Sequence, residues 1–136
     1  YLTKNIKNVV KDKNVIIIST PLTKFTKGLI NKDILRLLAK GAIVVNVSRS
    51  LCLNLSDLIF FLKNKHLGGA GLDVVEGEPI KKNHQLLKFK NVIVTPHTGG
   101  ISDNFYKRNL NLILENINKF INSKKLTNLV DIKKGY

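Results

Sequence analysis

The sequence has no methionine, no tryptophan, one cysteine and three prolines. A single thiol, Cys52, excludes an internal disulfide and suits a reducing compartment such as the cytoplasm. Its place between Leu51 and Leu53 predicts a small buried hydrophobe rather than a nucleophile. A chain without methionine that begins at Tyr1 reads as part of a protein that is longer at its N-terminus. Long apolar runs are missing too. Val15 to Ile18 and Leu58 to Leu62 fall far short of the roughly 20 residues a membrane-spanning helix needs. Neither a membrane span nor a signal peptide is expected.

Negative charge is scarce: 9 acidic residues face 23 basic ones, for a net charge of +14. Such an excess suits a nucleic acid, an anionic substrate, or simply a lysine-rich surface. The basic residues are nearly all lysine and are scattered, as at Lys4, Lys24, Lys63, Lys88 and Lys133. Lys81-Lys82 and Lys124-Lys125 fall in predicted loops, and no aromatic residues interleave with a basic stripe. A solvated surface is therefore expected, and no nucleic-acid partner. With 43% hydrophobic and 24% charged residues, the 136-residue chain has the balance of one ordinary globular domain.

Strand and helix patterns alternate along it. Asn14 to Ile18 is a β-branched run ending before Pro21, as for a strand buried on both faces. Asn31 or Asp33 can cap a helix that places Ile34, Leu37 and Leu38 on one side and stops at Gly41. Ala42 to Val47 reads as a second strand, and Ser56-Asp57 opens a helix closing near His66 to Gly68. Gly69 to Val75 reads as a third strand, with small residues where another element approaches closely. Asn91 to Thr95 is the fourth. From Ser102, a plausible N-cap, a long helix carries Leu110, Leu112, Ile113, Leu114, Ile117 and Ile121. The organisational break falls near Gly99-Gly100. This alternation predicts an α/β fold with a parallel sheet.

Open parallel sheets bind ligands beyond the carboxyl ends of their strands. Those ends are Ser19-Thr20-Pro21, Val47-Ser48-Arg49, Asp73 to Glu78, and Thr95-Pro96-His97. One segment after another, polar and ionisable residues follow an apolar strand. A guanidinium, two carboxylates and an imidazole would converge on one rim. No metal site is read there.

Four segments carry a resemblance. Thr20 to Ile30 resembles the stretch PLTxxTxxLI of the D-isomer-specific 2-hydroxyacid dehydrogenases, and Lys40 to Arg49 resembles their KxGAxxVNxxR. Gly69 to Pro79 and Asn91 to Gly100 are similar to the family's GaxLDVxexEP and NVxxTPHxxG. Order and spacing agree over residues 14 to 121. The resemblance implies the second half of a Rossmann-type NAD-binding domain over residues 1–101. Residues 102–136 would be a long C-terminal helix and tail returning to a substrate domain. No regulatory domain is expected beyond that tail, which favours the simple reductases.

The residue types suit the implied reaction, interconversion of a 2-oxo acid and a D-2-hydroxy acid. Arginine holds a carboxylate with a planar, permanently charged fork. The oxygen that takes up a proton needs an acid titrating near neutrality, which points to histidine. A carboxylate beside that imidazole orients it and favours its protonated form. By position, the resemblance makes Arg49 the substrate-binding cation, His97 the acid/base and Glu78 its partner; Glu76 is a rival carboxylate. Asp73 would hold the nicotinamide carboxamide, while Thr20, Pro21, Val47, Ser48, Gly99 and Gly100 line the cofactor. Glu78 stands where the formate dehydrogenase branch has glutamine, so formate oxidation is not expected. His66 and His84 are expected in surface turns without a catalytic role.

Two features depart from the family. Ser50 replaces the glycine after the arginine, and Leu53-Asn54-Leu55 replaces an acidic stretch. No G-x-G-x-x-G occurs: Gly69-Ala70-Gly71 is followed by Val74 where a third glycine belongs. The chain as it stands is not expected to bind a dinucleotide competently, and the choice between NAD and NADP is not encoded in it. The resemblance implies a dehydrogenase of the phosphoglycerate dehydrogenase or glyoxylate/hydroxypyruvate reductase type. A homodimer, a cytoplasmic location and a small anionic substrate follow from it. A non-catalytic NAD-sensing scaffold of the same fold is the alternative.

Overall fold

The computed structural model describes residues 5–136, so the surface reading of Lys4 lies outside the described residues. The β-branched runs become strands β1 (Val15–Ile18), β2 (Ala42–Asn46), β3 (Leu67–Leu72) and β4 (Val92–Val94). They pair in parallel in the order β1-β2-β3-β4. Parallel neighbours need crossovers. Helix α1 (Ile6–Val10) precedes β1, α2 (Lys32–Leu35) joins β1 to β2, and α3 (Leu55–Lys63) joins β2 to β3. A loop with one 3₁₀ turn, Gln85–Lys88, leads to β4. The expected α/β parallel sheet is present.

The helices differ from expectation in their ends. Asn31 is the cap of α2, its side-chain oxygen accepting from the Asp33 and Ile34 amides at 3.0 and 3.3 Å. The helix stops after four residues rather than at Gly41. Leu37 and Leu38 bond back only three residues, which tightens the turn, and the Ala39 amide is taken by the Lys13 carbonyl. Helix α3 is capped by Asn54, not Ser56, through a 3.0 Å bond from the Asp57 amide. Asp57 in turn accepts from the Lys32 amide at 2.8 Å, tying the starts of α2 and α3 together.

Strand β3 begins at Leu67 and ends at Leu72, two residues before and three before the predicted limits of Gly69 and Val75. Glycine is required at its start. A Cβ on Gly68 would lie 2.3 Å from the Gly41 carbonyl oxygen, and one on Gly69 would lie 2.6 Å from that of Asn91. The strand slots between two backbones that leave no room for a methyl group. Gly68→Ala is expected to lower stability by about 1–3 kcal/mol, the usual range for forced overpacking; urea unfolding measures it.

Ile18, Val44 and Leu72 point to the face covered by the helices, where Ile34, Leu35, Leu58 and Leu62 meet them in one core. The opposite face is bare. Val15 and Ile17 are 52% and 64% exposed, and Ile43 and Ile93 also face outward. The expectation that β1 is buried on both faces is thus corrected: α1, α2 and α3 all contribute to the one core. Leu58→Ala in that core is expected to cost about 2–5 kcal/mol, read as a lower urea midpoint with unchanged slope.

The chain divides into two compact units, Tyr1–Gly99 and Gly100–Tyr136. The second consists of α4 (Phe105–Ile121) and a tail. Ser102 is not its N-cap; that position is Asn104, without a side-chain bond, and the Ser102 carbonyl accepts from the Phe105 amide instead. Of the expected apolar residues, Leu110, Ile113, Leu114, Ile117 and Ile121 are exposed and Leu112 is half-buried. The tail folds back onto the helix at Thr127, whose amide and carbonyl both bond Asn116, at 2.8 and 3.2 Å. Lys119 and Thr127 also donate to Glu115 and hold its carboxyl below the ordinary range. Among the described residues no helix is long and apolar enough to cross a membrane.

Candidate active site

Each strand delivers its polar residues to the same end of the sheet, because the strands are parallel and in register. The backbone ladder runs one step past each: Val47 bonds Ile18, Asp73 bonds Asn46, and Thr95 bonds Leu72. After β1, the half-buried Thr20 points its hydroxyl at the Cys52 sulfur, 3.9 Å away. Cys52 is fully buried, as its apolar neighbours predicted. The Pro21 carbonyl accepts from the Thr26 hydroxyl at 2.7 Å, and that hydroxyl accepts from the Thr23 amide. Thr26 thereby closes the loop that presents Thr20 and Pro21.

After β2, Asn46 organises the turn. Its fully buried side chain accepts from the Ser48 amide and hydroxyl at 3.1 and 2.9 Å and donates to the Arg49 carbonyl at 3.1 Å. Arg49 emerges exposed, with Nη1 donating to the Ser48 carbonyl at 2.7 Å. Among the described residues no carboxylate pairs with it. Its fork is left for an anion. Val47, beside it, is half-exposed. The signal for Asn46 in the sequence is an amide interrupting the apolar run Ala42 to Val47.

After β3 and β4 come two carboxylates and an imidazole. His97 Nδ1 lies 2.9 Å from Glu78 Oε2, with half of the imidazole and a third of the carboxylate side chain exposed. An ionised carboxylate can only accept, so Nδ1 carries the hydrogen and Nε2 is the free nitrogen. The other Glu78 oxygen accepts from the Val75 amide. Glu78, not Glu76, therefore partners His97. A cavity of about 460 Å³ opens beside this pair, walled by Val75, Pro79, Ile80, Leu87 and Val94.

Asp73 is 7% exposed and collects three bonds. Oδ1 accepts from the Thr95 hydroxyl at 2.6 Å and the Thr98 amide at 3.0 Å; Oδ2 accepts from the Gly99 amide at 2.8 Å. The Thr95 bond first, and the Gly99 and Thr98 amides with it, hold its carboxyl below the usual value of 3.8 against the opposing effect of burial. A carboxyl lowered by folding stabilises the fold fully above its unfolded pKa. That contribution is lost as pH falls from about 4 through the lower native value. The Thr98 and Gly99 amide resonances are expected to shift together in that acid range, followed by NMR.

The remaining candidates are accounted for. Gly99 is needed by Asp73, since a Cβ there would lie 2.7 Å from Oδ2, whereas nothing approaches Gly100 within 4 Å. His66 is half-buried, with Nε2 at 3.2 Å from the Leu35 carbonyl and its ring against Phe61. His84 Nδ1 accepts from the Leu86 amide. Neither histidine joins the rim. Among the described residues no group of three His, Cys, Asp or Glu is placed to hold a metal ion.

Comparison with known proteins places this arrangement. The model of the D-isomer specific 2-hydroxyacid dehydrogenase NAD binding domain matches residues 2–99. A glyoxylate reductase of Thermococcus kodakarensis is 33% identical over 128 residues, 94% of this chain and 38% of that protein. A D-isomer specific 2-hydroxyacid dehydrogenase from Xanthobacter autotrophicus Py2, solved with NADPH and MES, superposes with a TM-score of 0.90. It is 32% identical, and the match covers 98% of this chain and 54% of that one. An NADPH-dependent glyoxylate/hydroxypyruvate reductase from Sinorhizobium meliloti, solved with NADP and sulfate, also gives 0.90, at 26% identity over 100% of this chain and 44% of that one. The chain thus spans about half the length, or less, of the proteins it matches. On its motifs, its sheet and the family match over residues 2–99, the chain belongs to the D-isomer specific 2-hydroxyacid dehydrogenase family.

Proposed function

We propose that the chain supplies the proton-transfer and anion-binding side of an NAD(P)-dependent oxidoreductase. It would interconvert a 2-oxo acid and a D-2-hydroxy acid, of the glyoxylate/hydroxypyruvate reductase or phosphoglycerate dehydrogenase type. The observation that carries this reading is the 2.9 Å His97–Glu78 pair on the same sheet end as an exposed arginine without a carboxylate partner. Arg49 binds the substrate carboxylate through paired charged hydrogen bonds. His97 Nε2 gives its proton to the 2-oxo oxygen as it becomes a hydroxyl, and takes it back in the oxidative direction. Glu78 holds the Nδ1 hydrogen and stabilises the imidazolium between turnovers.

The residues fit the nicotinamide end of a dinucleotide. Asp73 Oδ2 accepts one protein bond and so keeps a lone pair for a carboxamide donor. The exposed Val47 would offer the ring an apolar contact, and Thr20, Pro21, Ser48 and Gly99 follow the carboxyl ends of the same parallel strands. When bound, a reduced nicotinamide would supply the hydride; His97 supplies the matching proton. The glycine-rich phosphate loop is not among these 136 residues.

The test is NADH and NADPH oxidation by the full-length protein with glyoxylate and hydroxypyruvate, and 3-phosphoglycerate in reverse. Turnover that Arg49→Ala abolishes supports the reading. NADH binding without turnover on any of them sinks it and favours a cofactor-sensing scaffold. Arg49→Lys keeps the charge but loses the fork. It is expected to raise KM for the oxo acid about 10- to 100-fold, the effect of one charged hydrogen bond. The same family reading carries a homodimer, which light scattering of the full-length protein checks.

A further inference from the structure

We propose that Thr95 is a positioning residue: through its hydroxyl it fixes the Asp73 carboxylate as a clamp that holds backbone 95–99, and with it the His97 imidazole, against Glu78. This rests on the reading of His97 as the acid/base. Three observations converge on it. The first is the conformation of His97 itself, whose φ of +57° lies in the left-handed region. A residue with a Cβ persists there only where flanking structure imposes it.

The second is what flanks it. The two amides that follow His97, those of Thr98 and Gly99, donate to Asp73 at 3.0 and 2.8 Å. Two residues before it, the Thr95 hydroxyl donates to the same carboxylate at 2.6 Å while its amide bonds the Leu72 carbonyl at 2.9 Å. The turn is thus pinned on both sides of the imidazole, to a group rooted one residue beyond β3. Of the three donors, Thr95 supplies the side chain. Its β-branching limits χ1, and its hydroxyl is aimed from a fixed rung of β4. That bond is also the largest influence holding the Asp73 carboxyl ionised, as the acceptor of two backbone amides must be.

The third is steric. Gly99 presses on the carboxylate from the far side, since a Cβ there would sit 2.7 Å from Oδ2. Asp73 is therefore caught between the Thr95 hydroxyl and the Gly99 backbone and has no second place to go. The ionisable groups facing His97 from neighbouring segments are Glu78, in contact, and Asp73, beneath its turn. Loss of the Thr95 bond would free the carboxylate to rotate. The Thr98 and Gly99 amides would lose their acceptor, and His97 would relax away from Glu78.

Thr95→Val is nearly isosteric and removes only the hydroxyl. In the full-length protein it is expected to lower kcat about ten-fold or more, on the scale of one charged hydrogen bond, with KM for the oxo acid changed little. Thr95→Ser restores the rate. The second readout needs no turnover: Thr98 and Gly99 amide proton resonances move upfield in Thr95→Val and return in Thr95→Ser. If Thr95→Val does not fold, Gly99→Ala, which pushes the same carboxylate from the other side, carries the same expectations. Unchanged amide resonances in the folded variant overturn the clamp, as does a loss confined to KM. A wild-type protein inert on every substrate but showing the amide shifts would instead fail the reductase reading while keeping the clamp.

Discussion

His97→Asn in the full-length protein is expected to lower kcat by about 10²- to 10⁴-fold, the usual contribution of a positioned acid/base. Asparagine is the informative replacement. It tolerates the left-handed backbone that position 97 adopts, so the Asp73 clamp and the fold stay intact while the proton donor disappears. KM for the oxo acid should change little, because Arg49 retains the carboxylate. A stopped-flow trace of NADH oxidation separates the two constants. A variant that kept most of its kcat would place the proton source elsewhere. A rise in KM alone would make His97 a binding residue.

Asn46→Leu is the second large effect, and it falls on stability and on Arg49 together. The amide is completely buried and serves the Ser48 amide, the Ser48 hydroxyl and the Arg49 carbonyl. Leucine fills the volume but leaves those groups without partners, at about 1–3 kcal/mol for each one that water cannot reach. A loss of about 3 kcal/mol or more in urea unfolding is expected, with a raised KM in whatever fraction stays folded. Equal stability of Asn46→Leu and the parent chain would mean that water replaces the amide. The turn carrying Arg49 would then be held by other means.

Much of this site was legible before any coordinates, for a geometrical reason. In a parallel sheet every strand ends at the same edge, so residues just after apolar runs become neighbours whatever their distance in sequence. Arg49, the Asp73 to Glu78 segment and His97 were brought together that way, while the choice of Glu78 over Glu76 came from the resemblance. What stayed hidden depended on side-chain hydrogen bonds that no periodicity encodes. The Thr95–Asp73 and Gly99–Asp73 bonds span 22 and 26 residues. Thr26 is buried as a loop tie, although it resembles any threonine of a polar turn. Helix starts were misplaced at Ser56 and Ser102 because serine is a good cap in general. At α3 an asparagine stood two residues earlier, and α4 begins from a backbone turn. The sheet's bare face was missed because an apolar run reads alike whether one face or both are covered. Helix α1, Ile6–Val10, is too short for its pattern to announce it.

The order β1-β2-β3-β4 is also the order of synthesis. Among the described strands, each pairs with the one made just before it. Each pairing joins residues 22 to 28 apart, so the crossover between neighbours is the loop that must close. Residues up to Leu72 include three strands with α2 and α3, all made before His97. Asp73 is then in place with its acceptors empty, and Thr95, Thr98 and Gly99 fill them when β4 arrives. The His97–Glu78 pair is therefore the last of these contacts to form.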